Sequence, residues 1–131
     1  MFGYNRRGFV TVALDYDPGA DDVIPLFRAT QDCEIISAYA TMTNTLAADA
    51  TNRFALNLLN GGTAGTATTA ISGTIGGTAG WTGLTPTSFS VSQGTVSAGE
   101  VITLNYDENG TGTFTSIAIQ LELLAGIGAD A

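Results

Sequence analysis

Thr113-Phe114-Thr115-Ser116-Ile117-Ala118-Ile119-Gln120-Leu121-Glu122-Leu123-Leu124 decides the fold class of this chain. Phe114, and after a phase break near Ser116 the residues Ile117, Ile119, Leu121 and Leu123, face one way. Ser116, Ala118, Gln120 and Glu122 face the other. An amphipathic helix would space its apolar residues three and four apart. Strict alternation is the pattern of a β-strand with one covered face.

The same period recurs at short spacings along the chain. Phe9–Leu14 is β-branched and alternating. Val23–Arg28 is a second run, and Pro25 confines it to an edge or a bulge because proline cannot donate to a ladder. Glu34–Met42, with Ile35, Ile36, Ala38, Tyr39 and Ala40, reads as a strand largely covered on both faces. Arg53–Leu59 sets Phe54, Leu56 and Leu58 against Ala55, Asn57 and Leu59. Thr66–Ile71 is a weaker Thr/Ala strand, Thr87–Ser92 pairs Phe89 with Val91, and Val101–Tyr106 aligns Ile102, Leu104 and Tyr106. About eight strands are expected, the number of a sandwich or jelly roll.

Turn chemistry fills the gaps, at Asp17-Pro18-Gly19, Asn60-Gly61-Gly62, Ser97-Ala98-Gly99 and Asp107-Glu108-Asn109-Gly110. The last of these, between two alternating runs, predicts a hairpin. Leu46–Asn52 is the single helical candidate, one turn within a loop. Gly61–Gly83 reads as a weak strand and a long loop, with Ile71, Ile75 and Trp81 as the residues that would pack. The expected class is all-β: a single-domain antiparallel β-sandwich over residues 9–131, preceded by an N-terminal arm, residues 1–8.

Composition narrows the function. Charged residues make up 12% of the 131 residues, roughly half the usual share. The formal net charge is −8, and such a field repels nucleic acid and anionic membrane surfaces. No apolar stretch is long enough for a helical span, and no apolar run follows the charged N-terminus, so no leader is expected. There is no His and no Lys, and the basic residues are Arg6, Arg7, Arg28 and Arg53. Most general acid/base, nucleophilic and transition-metal chemistry is built from His, Lys and Cys. The single Cys33 stands between Asp32 and Glu34, which disfavours a thiolate. No enzyme activity and no cofactor are expected.

The acidic stretch Asp15–Asp22 offers oxygen ligands, but its spacing does not match an EF-hand. It reads as an acidic turn, with calcium as the competing reading. Trp81 is either a sugar-stacking platform or a loop anchor packed on the sandwich or on a neighbouring subunit. Phe2, Tyr4, Arg6 and Arg7 gather aromatic and basic residues on an acidic body, and such residues are enriched at interface hot spots. With Trp81 they are the candidate partner contacts.

The chain resembles small tailed-phage capsid decoration (cement) proteins. The resemblance runs from about Val23 to Leu124. It rests on Val23-Ile24-Pro25-Leu26-Phe27-Arg28-Ala29, Cys33-Glu34-Ile35-Ile36-Ser37-Ala38-Tyr39, Asn52-Arg53-Phe54-Ala55-Leu56-Asn57-Leu58-Leu59-Asn60-Gly61-Gly62 and Ser97-Ala98-Gly99-Glu100-Val101-Ile102-Thr103-Leu104. It implies a jelly-roll-like fold, a homotrimer, the major capsid protein as partner, and a place on the outer capsid surface. It carries over no catalytic residue. A carbohydrate-binding or host-adhesion domain of a fibre or tail is the alternative.

Overall fold

A computed structural model describes residues 3–15, 17–112, 114 and 116–128, with residues 3–6 and 126–128 as backbone only. Ten strands run in chain order: β1 (Gly3–Leu14), β2 (Asp22–Arg28), β3 (Cys33–Met42), β4 (Arg53–Asn60), β5 (Thr69–Ala70), β6 (Ile75–Gly76), β7 (Thr87–Ser88), β8 (Thr95–Val96), β9 (Val101–Asn109) and β10 (Ile117–Gly128). Among the described residues the helical content is one 3-10 turn, Gly77–Ala79, and no helix is long and apolar enough to cross a membrane.

Two antiparallel sheets form a sandwich. The first is ordered β1-β10-β3-β7, with β8 also on β3. The second is ordered β2-β9-β4-β5, with β6 also on β4. β5 and β6 act as one broken strand on β4, and β7 and β8 as one broken strand on β3. Counted so, the eight lines follow the jelly-roll order, in which most connections cross from one sheet to the other. The expected all-β sandwich is present.

Alternation explains which side chains fill the core. Ile117, Ile119 and Leu121 of β10, Ile102, Leu104 and Tyr106 of β9, and Phe54, Leu56 and Leu58 of β4 are all buried between the sheets. Phe54 is the hub of an aromatic cluster. Its ring lies 5.1 Å from Trp81, 5.3 Å from Tyr106 and 5.3 Å from Phe114. Aromatic pairs at such distances add to area burial.

Several expectations change. Glu34–Met42 is not covered on both faces, because Tyr39 is exposed while Ile35, Ala38, Ala40 and Met42 are buried. A bulge makes this possible: Glu122 pairs with Ser37 and Leu123 with Ile35, so Ile36 is the extra residue. Thr66–Ile71 contracts to Thr69–Ala70, and Thr87–Ser92 to Thr87–Ser88. Gly110 does turn, at φ 66°, yet β9 and β10 lie in opposite sheets, so the turn is an inter-sheet corner and not a hairpin. Asn52 Oδ1 holds that corner by accepting from the Thr111 amide and hydroxyl. Leu46–Asn52 forms no helix; Asp49 Oδ1 accepts the Thr51 and Asn52 amides in a side-chain-closed turn. Pro25 behaves as expected, on an edge strand and beside a bulge.

The segment Gly3–Gly8, read as an arm, continues β1. Its pairing with β10 runs without a break from Gly3 opposite Gly128 to Leu14 opposite Ile117. β3 accompanies β10 only from Ile117 to Ala125. The ends of β1 and β10 therefore run past β3 as a two-stranded ribbon.

Candidate functional site

The outer face of the first sheet is laid out by register. Phe9, Glu122 and Ser37 form one row across β1, β10 and β3, and Thr11, Gln120, Tyr39 and Ser88 form the next, reaching β7. Ala13, Ala118 and Thr41 form a third. Phe9 is 74% exposed and Tyr39 40%. Two strand spacings and two residues along the strand separate their Cα atoms by roughly 12 Å. Between them lies a groove of about 370 Å³ with Thr11, Ser37, Gln120 and Glu122 among its lining residues. Leu84, 76% exposed, stands at the end of the same face beside Ala13, Thr41 and Ala118. It adopts φ 60°, a conformation costly for a residue with a branched side chain. Its amide donates to the Met42 carbonyl at 2.7 Å, which ties the loop to β3.

One ion pair marks this face. Arg7 reaches back over β10 to Glu122, which also accepts from the Ser37 hydroxyl at 3.1 Å. Those bonds, Arg7 first, hold the Glu122 carboxyl below its usual value. Other carboxylates are used at the two ends of the sandwich. At one end Asp17 accepts from the Tyr106 hydroxyl and from the Gly19 and Phe114 amides, and Asp21 accepts from the Glu108 amide. At the other, Asp32 accepts the Ala98 amide, and Glu100 accepts from the Ser97 amide and the Asn60 side chain. The rows of Thr11, Gln120 and Tyr39 and of Ala13, Ala118 and Thr41 thus carry no charge, while Glu34, level with Leu124 and Arg7, stands exposed farther along the same face.

Within the acidic stretch Asp15–Asp22, Asp17 and Asp21 spend their carboxylates on these bonds, and among the described residues no group of three or more His, Cys, Asp or Glu could hold a metal ion. Glu108, near Asp17 and Asp21, has its carboxyl pushed up by burial first and by those two charges next. Burial, and then Asp17, also pushes the Tyr106 hydroxyl up. Cys33 opens β3, half-buried, and burial followed by Asp32 raises its thiol value. Both effects disfavour the thiolate, so it is a poor nucleophile.

Of the candidate contacts, Phe2 lies outside the described residues, and Tyr4 and Arg6 are placed as backbone in β1. Arg7 is on the open face. Trp81 is 4% exposed, stacked on Phe54, and its indole N–H donates to the Phe54 carbonyl at 3.1 Å. It is the loop anchor and not an exposed contact. A Cβ at Gly76 would fall inside the indole, so that glycine is part of the seat. Phe9, Tyr39 and Leu84 were not among the candidates. The signal for Phe9 was parity: it shares a face with Arg7 and Thr11.

No family model matches the chain and no curated protein matches it. Two solved structures do. The asymmetric unit of the cyanophage Pam1 capsid superposes at a TM-score of 0.55, with 11% identity over 94% of this chain and 86% of that one. A subunit of the disulfide-linked pili formed by Bacillus endospore appendages superposes at 0.53, with 14% identity over 98% and 93%. At these identities the likeness is one of fold. The protein is a jelly-roll β-sandwich, an architecture it has in common with a chain of a virion shell and with a chain of a spore appendage.

Proposed function

We propose that the protein is a non-catalytic structural subunit that decorates a phage capsid on its outer surface and stabilises the shell by bridging major capsid subunits. The observation that carries this reading is the open face of the first sheet. Among the described residues Phe9, Tyr39 and Leu84 are three of the four large apolar residues that stand exposed, and all three lie on or beside that face. Clustered apolar exposure with little charge is the character of a protein-binding surface. The fold, shared with a capsid chain and a pilus chain alike, supports a structural subunit in either assembly. The single Cys33 favours the shell, since one thiol per chain can link two chains but cannot extend a disulfide-linked polymer. Many weak contacts on a repeating lattice sum to tight retention.

The test is a shell stripped of the protein and rebuilt with it. Rebuilt shells should resist heat better, and Tyr39→Asp with Leu84→Ser should abolish both binding and protection. Equal robustness of stripped and rebuilt shells would sink the proposal.

A second reading is favoured by the groove itself. Two exposed rings flanking Gln120, Ser37 and Thr11 suit a neutral carbohydrate, as in a host-adhesion domain of a fibre or tail. Glycan-array binding that Tyr39→Ala removes would select it.

A further inference from the structure

The four sheet edges of this sandwich are not alike. β2 carries Pro25 and a bulge between Pro25 and Phe27. β5 and β6 are only two residues long each, and so are β7 and β8. Proline, bulges and short strands are the devices by which natural sheets prevent edge-to-edge pairing. β1 has none of them. It is 12 residues long, free of proline, and in unbroken register with β10. Lysine, the usual edge guard, is absent from the chain. Arg7 does not guard the edge either, because it leans inward to Glu122. Among the described residues nothing pairs with the outer side of β1.

We propose that the free edge of β1 is a docking site for the β1 of a second copy, paired antiparallel about a two-fold axis at Phe9. The occupant follows from charge. Two copies at a net charge of −8 repel wherever carboxylates meet, and β1 contains no acidic residue. A two-fold perpendicular to the sheet keeps outward side chains beside outward side chains, because opposed residues of an antiparallel pair share a face. Centred on Phe9, it sets Phe9 against its own counterpart and Arg7 against Thr11 of the second copy. No like charges are then directly opposed. The exposed ring of Phe9 becomes covered, and the two open faces join into one surface eight strand lines wide. The contact is isologous and closes at two; the resemblance to decoration proteins implies three. This inference does not rest on the proposed capsid role.

Light scattering over a concentration series of the purified chain should give twice the 13.4 kDa subunit mass. Phe9→Asp and Phe9→Lys each place like charges at the two-fold axis and remove an apolar contact, so each should weaken the dimer by about tenfold or more. Phe9 is 74% exposed, so both variants should keep the wild-type melting temperature of the isolated subunit. Mixed in equal amounts, they should recover a dimer of one Asp chain and one Lys chain. A monomer or trimer of wild type at all concentrations overturns the proposal. So do dimers indifferent to both substitutions, or a mixture that stays monomeric.

Discussion

The outer faces of the two sheets are finished in opposite ways. On the first sheet long strands lie bare, with Phe9 and Tyr39 in solvent. On the second, the segment after β4 turns back over its own sheet. The Gly61 amide donates to the Val101 carbonyl at 2.7 Å, and the Ala67 amide to the Gly61 carbonyl at 2.9 Å. Beneath it Leu59 is 5% exposed and Thr103 2%, although both point away from the main core. A chain can therefore cover an outward face when it needs to. The bare face is a choice of sequence, not a default of the fold.

The largest test of that contrast sets Leu59→Ala against Phe9→Ala in the isolated subunit. Leu59 should cost about 2–5 kcal/mol in denaturant unfolding, since a buried leucine leaves a cavity. Phe9 should stay within about 0.5 kcal/mol, as surface changes do. Comparable losses would mean that the two faces are not different after all.

Thr103 offers a smaller effect of opposite sign. Its hydroxyl is buried under the covering segment with no hydrogen-bond partner. Thr103→Val removes an unmet polar group at constant shape and should stabilise by about 1 kcal/mol. A loss of similar size would show that the hydroxyl is satisfied there.

Two carboxylates extend the comparison to pH. Glu108, at the acidic end, has one oxygen shielded and unpartnered, and its value is raised. The folded chain then holds that proton longer than the unfolded chain. Stability is full below the ordinary glutamate value, near 4.3, and falls as pH rises through the folded value. Glu108→Gln should raise the melting temperature at pH 7 and flatten that fall. Glu122, on the open face, is shifted the other way. Its contribution is present above the ordinary value and is lost as pH falls through the folded one. Arg7→Ala should weaken this dependence, leaving the share due to the Ser37 hydroxyl, and lower the melting temperature at neutral pH only slightly, because exposed pairs contribute little. This is the smallest effect expected.

Period and turn chemistry were enough to read the strands that carry the core. β10, β9 and β4 appear where Ile117, Ile102 and Phe54 begin their alternations, and Pro25 marked an edge before any pairing was known. What sequence could not supply were partners distant along the chain. Asp107–Gly110 has the residues of a hairpin, and the same residues make an inter-sheet corner once Phe114 is drawn into the ring cluster around Phe54. Trp81 sits between glycines like a loop residue, and its burial depends on Phe54, 27 positions away. The bulge at Ile36 is set by the register of β10, which strand β3 does not encode alone. Exposure of Tyr39 followed from that bulge and was hidden with it.

Gly3 of β1 lies opposite Gly128 of β10, and this has a mechanical meaning. Tension applied at those two points would part the β1–β10 ladder one rung after another, as a zipper opens, with each rung bearing the load alone. Tension across the sandwich would load the ladders of both sheets together, in shear. A subunit wired in this way is weak against a pull on its strand ends and strong against a pull on its flanks. Anything tethered beyond Gly3 or Gly128 would leave from the same pole, where a pull opens the ladder from its end.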